Sequence, residues 1–412
     1  MIKLKKEYSN ELLEDYYNKG LKYTSKKLKK ELKNIDSIED KYKLWKICSV
    51  SNISRLLLIP PYLLECEIEK VEGLYPDFYE YYNIIEYFSS AISYKVNELK
   101  IRSVEDKRIF DRECIKLLSI ISRSKHQFPT SLVIDYVEKE ITNIVNDLTQ
   151  LTPKSPRSEY KKRIEKLYII MQGKGIDRFY PTWIPIVKKV FNYSGFIDQK
   201  FAIKMTNDLG IGVCPYCNIE GIEPDKPDSN DKVYRPPLDH YYPKSLFPYL
   251  SISIYNLIPC CTKCNSTYKG SYDTYKNKYR NPYSSGFCSE VIFEIHDKDR
   301  ILKDLETGYY DANEIEIICK INDYIGNTED IFRIEKRYKG QFAWKNAALK
   351  ILKSYSDSNF GTVFNHGAKI FTKDVYIETV TDYYKGESAL RQSGKKYKLD
   401  LINQVYGLED KI

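Results

Sequence analysis

One short segment, residues 213–270, carries most of the side chains that could do chemistry. Two Cys-x-x-Cys pairs stand near its ends, Cys214 with Cys217 and Cys261 with Cys264. Two cysteines at this spacing can point both sulfurs at one centre, and a second pair completes the tetrahedron that Zn²⁺ prefers. We therefore predict one zinc bound by these four thiolates. This zinc is expected to be structural, because four thiolates leave no coordination position for substrate.

Cys260 adjoins Cys261 and offers a competing thiol at the same end of the segment. Only Cys261 has the two-residue spacing to Cys264, so we expect Cys260 to be a small buried residue. A redox pair and four unrelated thiols are the other interpretations of these cysteines. Two correctly spaced pairs disfavour both interpretations.

Between the cysteine pairs lie Asp239 and His240, and Asn265 directly follows the last cysteine. An imidazole beside a carboxylate can divide two tasks: His240 takes a proton from water, and Asp239 holds a hard divalent cation. Asn265 can offer that cation a second oxygen. Magnesium suits this donor set, because it accepts one or two protein oxygens and keeps waters and phosphate oxygens as its other ligands. A base beside a phosphate-binding metal indicates phosphodiester hydrolysis.

The order of these motifs resembles that of the HNH endonucleases, which have a ββα-metal fold. In that family an Asp-His-x-x-Pro-x-Ser-like strand, an Asn-Leu turn and a Cys-x-x-Cys-Asn/His-x-x-x-Lys helix follow one another. Here the same order is found in Asp239-His240, in Asn256-Leu257 and in the run from Cys261 to Lys269. A weaker resemblance, to the part that follows this core in bacterial defence-associated HNH proteins, extends through residues 281–283 and 332–338.

The resemblance implies a role for each of these residues. His240 would be the general base, Asp239 and Asn265 would hold a catalytic Mg²⁺ or Mn²⁺, and Asn256 would orient the loop that carries the histidine. Lys269 would face phosphate. Asn265 stands where many members have histidine, so the chain is similar to the His-Asn-Asn variants found in the HNH domains of RNA-guided nucleases. An amide oxygen favours hard ions more than an imidazole does.

The formal net charge of +8 fits a polyanionic partner. A lysine-rich and tyrosine-rich composition is also what an AT-rich coding sequence produces without functional pressure. The local charge is more informative, because basic residues cluster beside the predicted metal and would neutralise backbone phosphates. These residues are Lys263, Lys269, Lys276, Lys278 and Arg280.

The segment must be positioned by a much larger chain, since 412 residues are enough for two or three domains. Apolar residues that recur every three or four positions in the first 150 residues indicate helices. We predict a mainly α protein with a small central α+β domain, an HNH core of ββα-metal type clipped by a zinc and flanked by helical regions. The predicted parts are an N-terminal helical region (1–195), the nuclease domain with its zinc knuckles (196–290) and a C-terminal α+β and helical region (291–412).

Within the C-terminal region, Glu290–Ile295 and Glu314–Ile321 alternate as strands do, and we predict a hairpin around Gly308. The basic start of the chain lacks the apolar stretch of a signal peptide, and no uninterrupted apolar run is long enough to cross a membrane. The isolated cysteines outside the zinc pairs favour a reducing compartment. A soluble, cytoplasmic protein with no membrane partner is therefore expected.

The expected function is that of a metal-dependent HNH endonuclease that hydrolyses DNA phosphodiester bonds in bacterial anti-phage defence or restriction. Two alternatives stay open. The chain is either a nuclease subunit of a defence complex, gated by a protein partner such as an ATPase sensor, or a zinc protein that binds nucleic acid without cutting it. The choice between DNA and RNA also stays open, because the helical flanks contain no identifiable base-reading motif.

Overall fold

The computed structural model describes residues 1–92, 95–225, 234–287, 290–308, 310–321, 331–356 and 372–408. Within these residues the chain is mainly helical, and its strands form two sheets of two strands each. The prediction of a mainly α chain is thereby confirmed. The helices before the first strand are α1 (Asn10–Glu31), α2 (Ile38–Ile47), α3 (Val50–Leu57), α4 (Leu64–Leu74), α5 (Pro76–Ala91), α6 (Val104–Ser124), α7 (Leu132–Thr149), α8 (Ser158–Met171), α9 (Trp183–Val190), α10 (Tyr193–Phe196) and α11 (Gln199–Leu209).

Several helices begin where an apolar stripe follows a capping residue, and α7 is one of them. The Ser131 hydroxyl accepts a hydrogen bond from the backbone N–H of Ile134 at 3.2 Å, which satisfies one of the unpaired donors of the first turn. Residues three or four apart then lie on one face of the helix and are buried. On α7 these are Val133, Ile134, Val137, Ile141, Ile144 and Leu148.

The first sheet contains the predicted catalytic histidine. Strand β1 (Leu238–His240) pairs antiparallel with β2 (Leu257–Pro259), so that His240 lies opposite Leu257. A short helix, Lys263–Lys269, follows β2 and is wound as a π-helix. The N–H of Gly270 bonds the carbonyl of Asn265, five residues back, at 2.9 Å. A π-turn of this kind is rare and is frequently found at functional sites.

The second sheet pairs β3 (Phe293–Ile295) with β4 (Ile317–Cys319), also antiparallel. The two strands lie within the predicted segments, but the simple hairpin predicted around Gly308 is wrong. A helix, α12 (Lys298–Glu306), connects the strands, and Gly308 follows that helix with a positive φ of 99°. The remaining helices are α13 (Ile334–Lys339), α14 (Phe342–Ser356), α15 (Lys373–Thr381) and α16 (Lys395–Tyr406).

The buried apolar residues form two clusters, which divide the chain differently from the predicted parts. One cluster lies within residues 84–176 and joins the end of α5 to α6, α7 and α8. The other combines the first four helices with α9, α11, both sheets and the C-terminal helices. Helices from both sides of residue 195 contribute buried residues to this second cluster. No helix among the described residues is both long and apolar enough to cross a lipid bilayer.

Candidate functional site

The four predicted zinc ligands meet in the structure. The sulfur atoms of Cys214, Cys217, Cys261 and Cys264 all lie within 4.8 Å of one another, and all four residues are buried. Tetrahedral zinc with Zn–S distances of about 2.3 Å would place its sulfurs about 3.8 Å apart, so the cluster is compact enough for one ion. The predicted grouping is confirmed, and Cys260, although fully buried, is not part of it.

The turn that carries the first cysteine pair is tight because one residue adopts a left-handed backbone. Asn218 has φ 53°, a conformation that asparagine tolerates better than most residues, and its N–H donates to the carbonyl of Cys214 at 2.8 Å. In the second pair, the N–H of Cys264 donates to the sulfur of Cys261 at 3.4 Å. Both turns thus position their sulfurs by backbone hydrogen bonds within the motif.

Arg337 is part of the metal centre, although the sequence did not identify it. Its guanidinium donates to the sulfur of Cys264 at 3.4 Å and to the carboxylate of Glu220 at 3.1 Å, and the residue is only 5% exposed. Burial alone would lower the pKa of Arg337, but the thiolates of Cys217 and Cys264 raise it above its ordinary value. A fixed positive charge here offsets the negative charge of four thiolates. The only signal in the sequence was that Arg337 lies in the weakly matched segment 332–338.

Asp239, the predicted metal ligand, is enclosed by protein groups. One carboxylate oxygen accepts a hydrogen bond from the hydroxyl of Tyr216 at 2.6 Å, and the other lies 3.2 Å from the ammonium of Lys269. The same ammonium donates to the carbonyl of His240 at 2.7 Å. The Asp239 and Lys269 side chains are 2% and 0% exposed. Asp239 and Lys269 therefore form a buried ion pair that joins β1 to the π-helix.

This arrangement does not fit the predicted Mg²⁺ or Mn²⁺ site. Both oxygens of Asp239 are already engaged, and hydrated Mg²⁺ needs an accessible carboxylate because it retains most of its waters. The amide of Asn265 is half-buried and lies 3.5 Å from the hydroxyl of Ser266. The Lys269 ammonium, predicted to face phosphate, is directed at Asp239 instead.

A double-mutant cycle is expected to show that Asp239 and Lys269 stabilise each other. Asp239→Asn and Lys269→Met should each lower the free energy of unfolding by about 3–5 kcal/mol, because each leaves a buried charge without its partner. The double variant should lose clearly less than the sum of the two losses, since it buries no unpaired charge. Urea unfolding of the zinc-loaded wild type, the two single variants and the double variant measures the four free energies of unfolding. Strictly additive losses would show that the two side chains do not interact.

His240 lies at the end of β1, and one of its ring nitrogens contacts the backbone. Its Nε2 lies 2.9 Å from the backbone carbonyl of Ser251. Because a carbonyl only accepts, Nε2 must carry the proton, and the lone pair of the neutral ring is then at Nδ1. The edge of the Tyr193 ring packs on the imidazole with 4.6 Å between centroids, and His240 is 8% exposed.

The surroundings keep this imidazole neutral. Burial, followed by the positive charges of Lys244 and Lys269, lowers the pKa of His240 to about 3, although the Ser251 carbonyl favours the protonated ring. A neutral imidazole can accept a proton at pH 7, which is the first requirement for a general base.

The depressed pKa has a consequence for stability. In the unfolded chain His240 binds a proton near its ordinary pKa of 6.5, whereas the folded protein resists protonation down to about 3. Stability is therefore lost as pH falls below 6.5, at a limiting slope of about 1.4 kcal/mol per pH unit for one group. Between pH 7.5 and 5, we expect the free energy of unfolding to fall by about 2 kcal/mol more in the wild type than in His240→Gln, as measured by urea unfolding. Parallel pH dependences in the two proteins would contradict a depressed pKa.

Asn256 connects the two ends of the loop that follows β1. Its side-chain oxygen accepts the N–H of Tyr242 at 2.8 Å, and its amide donates to the carbonyls of Tyr242 at 3.1 Å and Leu250 at 3.0 Å. The residue is fully buried. The loop it closes ends beside Ser251, whose carbonyl holds His240. The position of the imidazole therefore depends on Asn256 through this loop.

Most of the basic residues that were predicted to lie beside the catalytic metal have carboxylate partners. An exposed lysine in such a pair attracts a phosphate less strongly than a lysine without an acidic neighbour, because the carboxylate offsets its charge. The pairs are Lys263 with Glu220 at 2.7 Å, Lys269 with Asp239 at 3.2 Å, Lys278 with Glu65 at 3.4 Å and Arg280 with Glu290 at 2.9 Å.

Comparison with protein family models, with curated proteins and with solved structures found no match to the chain. Function therefore has to be inferred from the site. Its features are a buried cluster of four cysteines, a neutral histidine held by a backbone carbonyl and an asparagine that closes the histidine loop.

Proposed function

We propose that the chain is an HNH-type endonuclease that hydrolyses phosphodiester bonds in DNA, with His240 as the general base. The observation that carries this proposal is the state of His240. It is a neutral imidazole at the end of β1, and its Nε2–H donates a hydrogen bond to the carbonyl of Ser251. The order of β1, β2 and the π-helix, with cysteine pairs at both ends, supports the same assignment.

The residues of this chain divide the work as follows. His240 takes a proton at Nδ1 from the water whose oxygen attacks phosphorus, and the P–O bond to the 3′ oxygen breaks as the new bond forms. The 3′ oxygen leaves and takes a proton from solvent. The Ser251 carbonyl stabilises the imidazolium, because it remains hydrogen-bonded to Nε2–H. Asn256 keeps the loop and hence the imidazole in place. A zinc held by the four cysteines would supply structure and no chemistry, since its coordination is complete.

Cleavage of supercoiled plasmid tests the proposal. Wild-type protein, His240→Ala and His296→Ala are incubated with Mg²⁺, with Mn²⁺ and with EDTA. His240→Ala should cut about 10²–10⁴-fold more slowly than wild type, the usual contribution of a general base. His296→Ala is the matched control, because its side chain is 48% exposed and its nearest charged groups are Asp297 and Glu316. Wild-type rates in His240→Ala would remove His240 from the reaction.

The enclosed state of Asp239 favours a second candidate, a nuclease subunit gated by a partner protein such as an ATPase sensor in anti-phage defence. With both carboxylate oxygens engaged by Tyr216 and Lys269, the isolated chain presents no open metal ligand at this position. In this hypothesis a partner would rearrange the π-helix and free Asp239. Purified chain that holds one zinc but cuts under none of the three conditions would favour it. Brisk cutting without any partner would count against it.

A further inference from the structure

Tyr193 packs beside His240 and three basic side chains from separate segments lie near it; we call Lys188, Tyr193, Arg235 and Lys244 the Tyr193 face. Tyr193 packs on the imidazole, and the ammonium of Lys244 lies 5.0 Å from the centre of the tyrosine ring. Burial raises the pKa of Tyr193, and the nearby guanidinium of Arg235 opposes that rise. Burial lowers the pKa of the Lys244 ammonium, and the positive charge of Lys188, on α9, lowers it further.

The Tyr193 face has three positive charges and no acidic partner among the residues that the structure describes. Lys188 and Lys244 are exposed, while Arg235 and Tyr193 are half-buried. By contrast, the basic residues that follow the second cysteine pair are largely neutralised by carboxylates. Cations that repel one another and lack a counter-charge gain the most from an incoming anion.

We propose that Lys188, Tyr193, Arg235 and Lys244 bind a backbone phosphate of the DNA strand beside His240. The inference rests on the proposed function, since it makes the substrate of His240 a nucleic-acid strand held at this face. The planar guanidinium of Arg235 can donate two hydrogen bonds to a phosphate, and the Tyr193 hydroxyl can donate a third. Tyr193 contacts both the His240 imidazole and the Lys244 ammonium. A phosphate bound at this face therefore lies next to His240, the proposed general base.

The position of the Tyr193 face explains why the sequence predicted phosphate contacts around the second cysteine pair and not here. Arg235 and Lys244 flank β1 within the predicted nuclease segment, but Lys188 and Tyr193 belong to helices before residue 195. The two parts share one hydrophobic core, and this packing brings α9 and α10 beside the histidine. A phosphate site built in this way would use the helical region as part of the nuclease and not only as its support.

DNA binding without cleavage tests the inference. Anisotropy of a labelled 20-base-pair duplex is measured in EDTA with proteins that all contain His240→Ala, so that loss of catalysis cannot be mistaken for loss of binding. Arg235→Gln and Lys244→Gln should each weaken binding about 3–10-fold, and the triple variant with Lys188→Gln should weaken it at least 30-fold. The slope of log Kd against log salt should fall by about one for each phosphate that the variant no longer neutralises.

Lys263→Gln is the control, because it removes the same charge from a lysine paired with Glu220. It should change Kd less than twofold, whereas a loss equal to that of Lys244→Gln would show a general charge effect and overturn the proposal. Lys244→Arg should retain binding, and zinc content with far-UV circular dichroism confirms the fold of each variant. A triple variant that binds DNA within twofold of its parent also overturns the proposal.

An inorganic phosphate arm identifies the ligand. If inorganic phosphate binds to the Tyr193 face but none of the variants alters DNA binding, the face is a small-anion site and the assignment to DNA is refuted. The proposed function can fail separately, since a chain that cuts no plasmid can still lose DNA binding in these variants.

Discussion

Cys264→Ser is expected to produce a chain that binds no zinc and lacks a stable central region. Structural zinc sites contribute an apparent binding free energy of about 10–16 kcal/mol, which equals or exceeds the net stability of most domains. In this chain the four sulfurs join the turn that precedes β1 to the segment that follows β2, so losing the metal would loosen both ends of the first sheet. Elemental analysis should find one zinc per chain in wild type and none in the variant. The apparent Tm should fall by more than about 10 °C.

Cys260→Ala is the matched control for this prediction. Cys260 is as buried as its neighbours but lies outside the cluster, so the variant should keep one zinc and lose only the stability of a small core thiol. Zinc lost from Cys260→Ala and kept by Cys261→Ser would reverse the assignment of the two adjacent cysteines. Full zinc occupancy in Cys264→Ser would show that this residue is not a ligand.

Asn256→Ala is expected to damage both the fold and the catalytic site. The substitution removes three hydrogen bonds and takes from the N–H and the carbonyl of Tyr242 their Asn256 partner in a buried loop, whereas the carbonyl of Leu250 still accepts from the N–H of Ser253. Each unsatisfied buried group costs about 1–3 kcal/mol, so the free energy of unfolding is expected to fall by at least about 2 kcal/mol. Because the loop positions Ser251, the imidazole should also lose its orientation.

Two measurements separate these effects of Asn256→Ala. Urea unfolding gives the loss of stability, and the plasmid assay well below the unfolding temperature gives the loss of rate in folded protein. Asn143→Ala, at an exposed position on α7, should change stability by less than about 0.5 kcal/mol. A rate equal to that of wild type in folded Asn256→Ala would show that the loop does not position His240.

The sequence by itself determined those features that depend on local spacing. Two cysteines separated by two residues point at one centre in almost any tight turn, so the four ligands were identified before the fold was known, and the cluster confirms them. Apolar periodicity likewise predicted helices in the first 150 residues, where α1 to α7 lie, because a helix buries one face whatever it packs against. The adjacency of Asp239 and His240 suggested chemistry for the same local reason.

Only the tertiary structure decided which groups those side chains meet. Lys269 looked like a phosphate contact from its place after Cys264, but the π-helix turns its ammonium into a buried pair with Asp239. Arg337 reaches the sulfur of Cys264 from α13, and Tyr193 packs on His240 from α10. The physical reason is that partners of buried or paired charges are chosen by packing between distant segments. Spacing along the sequence carries no information about that packing.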